Sequence, residues 1–192
     1  MSHRNHMAPF AVNIDLTTGH IGPPARLLTR RLSDLRGLFY DEAAYDAMMA
    51  AGDPVAYEVY EVRVPEEDGH LLSCTTIIHP GRVGGEYFFT KGHYHLSEPR
   101  AEIYTCLRGE GYLLLGNRQG EGRSIVMTPG VSAYIPPYWA HRTLNTGRHP
   151  FIFHGVWPGD SGHDYASIQQ AGFPLRVFEE RGRPVVKASA GP

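Results

Sequence analysis

At 192 residues and 42% hydrophobic, the chain has the length of one domain and enough apolar surface to fold without disulfide staples. A formal net charge of −2 without a basic cluster argues against a nucleic-acid partner. No apolar run approaches the ~20 residues of a membrane span, and no signal-peptide core precedes the first strand signal, so a cytoplasmic protein without membrane contact is expected.

Cys74 and Cys106 are too few for a disulfide framework and fall in apolar runs, where buried free thiols are expected. The 22 Gly, 15 Pro and 11 Tyr point to many short strands joined by tight turns.

In chain order, Met1 to Met7 reads as a frayed tail with two histidines, and Met7 as an alternative start. Phe10-Ala11-Val12-Asn13-Ile14 gives a strand signal, followed by the turn Thr17-Thr18-Gly19. A basic stretch from Arg26 to Arg36 leads into the one strong helix. Asp41 can cap it, Glu42 suits its first turn, and Gly52 closes it.

After Pro54 the pattern changes to period two. Val55 to Tyr60 and Leu71 to His79 read as strands, then Tyr87–Phe89, Ile103–Leu107, Tyr112–Leu115, Ser124–Met127, Ser132–Ile135, Thr143–Asn145 and Phe151–Trp157. Each is bounded by Gly, Pro or Asn, at the spacing of a sandwich or barrel. A short helix near Asp164 and two edge strands, Leu175–Phe178 and Val185–Lys187, complete an all-β chain with helical decoration. One domain is expected, with an arm and helix over 1–53, a core over 54–160 and an extension over 161–192.

Two histidines stand as His93-Tyr94-His95. In an extended strand, residues two apart face the same way, so both imidazoles can reach one ion. Glu102 follows after a turn, and His141 follows Pro136-Pro137 where the chain re-enters the sheet. Three imidazoles and a carboxylate suit Fe, Mn, Ni, Cu or Zn and leave positions open on an octahedral ion. His79 and His154 also lie on strands, where structural burial is the simpler reading.

These residues resemble the two motifs of the cupins. Glu102 and Gly109 enclose six residues, as the end of the first motif requires. Gly130, Pro136, His141 and Asn145 keep the spacing of the second. Three departures stand out: Tyr138 replaces the second-motif glycine, the gap from His95 to Glu102 is long, and Tyr87 stands where the first motif opens with Gly.

The departures resemble one subfamily, the cupin-type glucose-6-phosphate isomerases, over about Arg30 to Ile168. The matching stretches include Phe89-Thr90-Lys91-Gly92-His93-Tyr94-His95, Pro136-Pro137-Tyr138-Trp139-Ala140-His141-Arg142 and Gly162-His163-Asp164-Tyr165. Trp157 stands where that family usually has Tyr, so any hydroxyl role there is lost or moved.

The resemblance implies a cupin barrel (double-stranded β-helix, or jelly roll) with a few peripheral helices. It implies an isomerase interconverting glucose 6-phosphate and fructose 6-phosphate in glycolysis and gluconeogenesis, working as a homodimer. One divalent transition metal per chain is implied on His93, His95, Glu102 and His141: Fe2+ first, with Mn2+, Ni2+ or Zn2+ as alternatives. The sugar phosphate would meet Tyr57, Thr76, Thr90, Lys91, the backbone of Gly92, and Tyr104. Glu102 would be the base of a proton transfer between C1 and C2, with a metal-assisted hydride shift as the alternative, and His163 and Tyr165 would handle ring opening or the sugar hydroxyls. Without the family match, Tyr57, Thr76, Thr90 and Tyr104 are ordinary strand residues and Lys91 a surface charge. Fold alone leaves open a mononuclear iron dioxygenase or a non-catalytic sugar-binding cupin.

Overall fold

The computed structural model of the chain describes residues 7–23 and 25–189. Of the tail read over Met1 to Met7, residues 1–6 lie outside these residues, and Met7 is exposed.

The strand signal at Phe10–Ile14 does not become a strand. Its side chains are mostly exposed, and the backbone pairs only at Ile14 with Ile21, across a turn where Asp15 Oδ1 accepts from Thr17 N (2.7 Å). The basic stretch holds the first strand instead. β1 (Ala25–Arg31) half-buries Ala25, Leu28 and Arg30 and pairs antiparallel with β2 (Val55–Val62), from Ala25↔Val62 to Arg30↔Tyr57. A 3-10 turn (Leu32–Leu35) follows and buries both leucines.

α1 (Glu42–Ala51) begins where expected: the Asp41 carboxylate accepts from Ala44 N (2.9 Å), and Gly52 N–H closes the helix on Met48 O and Met49 O. The remaining elements are β3 (Leu71–Ile78), β4 (Arg82–Val83), β5 (Glu86–Tyr87), β6 (Glu102–Arg108), β7 (Gly111–Gly116), β8 (Gly122–Met127), β9 (Ser132–Ile135), β10 (Ala140–Asn145), β11 (Phe151–Pro158), α2 (Tyr165–Ala171), β12 (Leu175–Glu180) and β13 (Arg183–Ala188).

The strands form three sheets: β1-β2-β3-β11-β6-β9, β10-β7-β8 and β13-β12-β5-β4. Hydrogen bonds do not close them into a continuous barrel. The segment Phe88–His95 crosses the gap with single bridges, Phe89↔Leu144 and His93↔His141, because the chain here supplies ligands rather than a regular ladder. The sheets enclose Ile78, Leu113, Leu144, Phe151 and Phe153, all essentially inaccessible to solvent. Each such side chain contributes on the order of 1.5–3 kcal/mol through burial.

The second-motif Asn145 is structural. Its buried amide donates to Ile78 O (2.8 Å) and His149 O (2.9 Å), tying the end of β10 to β3 and to the following turn. Both cysteines are free and buried, as expected. Among the described residues no helix is long and apolar enough to cross a membrane.

Candidate metal centre and substrate cavity

His93 and His141 form a mutual backbone pair, with His93 N–H donating to His141 O (3.2 Å) and His141 N–H to His93 O (3.1 Å). Directly opposed residues of an antiparallel pair project to the same face, and the two rings meet at 4.3 Å between centroids. His95 lies two residues further along the same extended segment. Glu102 opens β6 and is set by its pairing with Ile135 of β9.

One ligand atom from each of the four lies within 4.8 Å of all the others. His95, Glu102 and His141 are buried; His93 is half-buried but its Nε2 is enclosed. His95 Nδ1 donates to Arg100 O (3.0 Å), which fixes the ring so that Nε2 faces Glu102 Oε2 at 3.2 Å. Arg100 is in turn held by Asp160, its Nε donating to Oδ1 at 2.8 Å.

Two buried imidazole nitrogens, His93 Nε2 and His141 Nε2, make no hydrogen bond, although His141 Nε2 stands 2.9 Å from Glu102 Oε2. Buried polar atoms are rarely left this way, and four convergent donors of this chemistry fit a divalent transition metal. Burial, reinforced by the neighbouring His141, holds the His93 imidazole well below its ordinary range, so it is neutral and able to ligate. Burial alone would raise the Glu102 carboxyl, but the facing His141 and His95 outweigh it and hold it at about 2.

The cluster forms one wall of a cavity that is partly open to solvent. The same cavity is lined by Tyr57, Thr76, Thr90, Lys91, Gly92, Tyr104, His163 and Tyr165, so the structure brings every sequence-derived site residue but His95 to its surface. His95 lies behind the cluster.

The individual contacts explain the arrangement. Thr90 Oγ1 accepts from Thr143 N (3.1 Å) and pairs with the Thr143 hydroxyl (3.3 Å), which fixes its position on the cavity wall. Burial, with Tyr165 nearby, pushes the Tyr57 phenol up to about 12, and burial pushes Tyr104 well above the ordinary phenol range, so both are neutral donors. The His163 ring lies 4.4 Å from that of His93 and stacks on Tyr165. This segment is no loose loop: Asp164 N–H donates to Tyr94 O (2.8 Å), and the Asp164 carboxylate caps α2 through Ser167 N. Burial holds the His163 imidazole below its ordinary range. Trp157 fills the position of the usual tyrosine, edge-on to His163 at 6.1 Å. His79 pairs with Glu58 (3.1 Å), and neither it nor His154 lines the cavity.

Sequence reasoning missed Glu61 on this wall and Gly155, which packs behind it. Glu61 reaches the cavity from β2, held by Arg26 Nη2 at 3.0 Å. Gly155 sits between its cross-strand partners Cys74 and Tyr104, where a β-carbon would lie 2.9 Å from the Tyr104 ring and 3.4 Å from Glu102 Oε1. Only the cross-strand register reveals either one.

A jelly-roll-like fold that gathers three imidazoles and one carboxylate, able to hold a metal ion, at an inner wall has the architecture of a cupin. Within that class the chain belongs to the glucose-6-phosphate isomerase family, whose model, "Glucose-6-phosphate isomerase (GPI)", matches residues 29–190. A relative of that name from Thermococcus onnurineus (strain NA1) is 52% identical over 177 residues, covering 92% of this chain and 93% of its own. The glucose-6-phosphate isomerase of Sinorhizobium medicae (strain WSM419) is 42% identical over 174 residues, covering 90% and 81%. Among solved structures, a double-stranded β-helix protein from Klebsiella pneumoniae is similar at a TM-score of 0.41 and 26% identity, over 50% of this chain and 75% of that one.

Proposed function

We infer that this cavity is where glucose 6-phosphate and fructose 6-phosphate interconvert. The observation that carries the reading is a single cavity lined both by the His93–Glu102–His141 wall and by the hydroxyl and amide donors Tyr57, Thr76, Thr90, Lys91 and Gly92. An aldose–ketose isomerase needs both halves: a place where a proton moves between two carbons, and a grip on a distant phosphate. Hydroxyls, an amide and one lysine suit an anionic sugar better than the apolar surface an aromatic diol would need.

His93, His95, Glu102 and His141 hold one divalent ion, Fe2+ in our reading. When bound, such an ion supplies Lewis-acid polarisation of the sugar's carbonyl and neighbouring hydroxyl. The protein's own groups do the rest. Thr76, Thr90 and Gly92 N–H bind the phosphate with Lys91, and Tyr57 and Tyr104 orient the chain through their neutral hydroxyls.

Glu102 carries the proton between C1 and C2. A carboxyl held at about 2 is a weak base, so this role requires substrate entry to draw it away from His95 and His141, which raises its proton affinity. His163, neutral and stacked on Tyr165, moves the proton that opens the sugar ring. We further read the protein as a cytoplasmic enzyme of glycolysis and gluconeogenesis that pairs as a homodimer through its sheet-edge strands, β1 and β9.

The test is a coupled assay of fructose 6-phosphate conversion by the metal-loaded protein, repeated after chelation. Turnover that vanishes with chelator and returns with Fe2+ is expected. No turnover by the metal-loaded protein refutes the reading, and light scattering reads the oligomer.

A further inference from the structure

Arg142 follows the metal ligand His141 in sequence but points to the other face of β10, away from the cavity. It is buried, with 2% of its surface exposed. Its guanidinium donates twice to one acceptor, Lys91 O, from Nε (3.2 Å) and Nη2 (2.7 Å). The fork cannot slide, because its central carbon stands 4.3 Å over the Phe89 ring and 5.0 Å over Phe173. A buried charge of this kind costs several kcal/mol unless its donors are well used. Here two of them serve one carbonyl on the rim of the cavity.

The peptide joining Lys91 to Gly92 is planar and trans, so its C=O and N–H point in opposite directions. Holding Lys91 O toward Arg142 therefore turns Gly92 N–H away from it. Gly92 is itself buried and lines the cavity, and its N–H finds no acceptor among the described residues. The conformation also depends on glycine. Gly92 has φ +75°, and a β-carbon there would lie 3.1 Å from Arg142 Cβ and 3.2 Å from Arg142 Nε.

We propose that Arg142 is a positioning residue that locks the Lys91–Gly92 peptide so that Gly92 N–H is presented to the substrate's phosphate. It touches no substrate and acts on ground-state binding through the peptide it orients. The inference rests on the isomerase reading above, which assigns Gly92 N–H to the phosphate.

The test compares wild type with Arg142→Met, which removes the donors, and Arg142→Lys, which keeps the charge and one donor. Loss of one hydrogen bond to a charged group corresponds to about a tenfold loss of affinity. In Arg142→Met the KM for fructose 6-phosphate and the inhibition constant of inorganic phosphate are both expected to rise about tenfold. kcat is expected to stay within about twofold, with full metal content, and Arg142→Lys to fall between Met and wild type.

Gly92→Ala, which crowds Arg142 from the opposite side, is expected to give the same rise in both constants and serves if the Arg142 variants fail to fold. A fall in kcat or metal content with KM and phosphate inhibition unchanged overturns the proposal, because that pattern marks a merely structural residue. Variants indistinguishable from an active wild type overturn it as well. A wild type without turnover overturns the isomerase reading first.

Discussion

Tyr138 offers the sharpest test of how the second motif is built. It occupies the glycine position of that motif and keeps the glycine's backbone: φ is +70°, a left-handed conformation that an L side chain adopts only under strain. Its ring is 57% exposed, so truncation removes little burial. What remains is the backbone: its N–H donates to Glu98 O (3.0 Å), a bond that does not depend on the side chain.

Comparing Tyr138→Gly with Tyr138→Ala isolates the strain, because both lose the ring and only alanine retains the unfavourable φ. The strain of a non-glycine residue here is on the order of 1–3 kcal/mol, and the extra freedom of glycine in the unfolded chain offsets roughly 0.5–1 kcal/mol of its relief. The glycine variant is therefore expected to be about 1 kcal/mol more stable than the alanine variant, or about 2–4 °C in Tm for a chain of this size. Thermal unfolding at fixed metal concentration measures it. An alanine variant as stable as the glycine variant refutes the argument, since the turn then holds no strain to release.

Three further outcomes follow from the site. Glu102→Gln is expected to keep part of the metal and lose about 10²–10⁴-fold in kcat, and full activity in a steady-state assay removes Glu102 from the proton-carrying role. Gly155→Ala forces the Tyr104 ring aside, with an expected loss of about 1–3 kcal/mol and a raised KM; an unchanged Tm and KM would show that the wall yields freely. In chelated protein, burial holds His154, His163 and His93 below the ordinary 6.5, and Glu102 lies at about 2 against an ordinary 4.5. The unfolded chain therefore binds more protons than the folded one below about pH 6.5, first on histidines and then on Glu102. Tm should fall as pH drops from 7 toward 4, and a flat or rising Tm over that range contradicts the assignment.

The parts of this molecule legible in the sequence are those written locally. Asp41 and Gly52 mark the ends of α1 because capping is a matter of neighbouring residues, and Glu102, His141 and Asn145 stand out because motif spacing is a property of the chain. β1 is hidden because Arg26, Arg30 and Arg31 make it read as a solvated basic run, yet the pairing of Arg26 with Glu61 across to β2 shows that it belongs to a sheet. The opposite error at Phe10–Ile14 has the same origin, since an apolar run forms a strand only where a partner edge waits for it. Gly155 and Glu61 carry no local signal at all, and Arg142 only its place after His141. Their parts are set by what lies across a sheet or beneath a peptide, and only register reveals that.

The place of β11 has a consequence for how the protein comes into being. This strand lies at the heart of the six-stranded sheet, bonded to β3 on one side and β6 on the other, although both are made long before it. During synthesis β3 and β6 must wait, unpaired with each other, until residues 151–158 arrive to fill the space between them. Contacts so distant along the chain make for slow folding, and the waiting edges are open to mispairing with other chains. The strand that arrives late also brings Gly155, against which Tyr104 and Glu102 come to rest. A nascent chain that stops short of it lacks the surface on which the cavity wall is laid, so truncation there is expected to yield aggregate rather than a weakened catalyst.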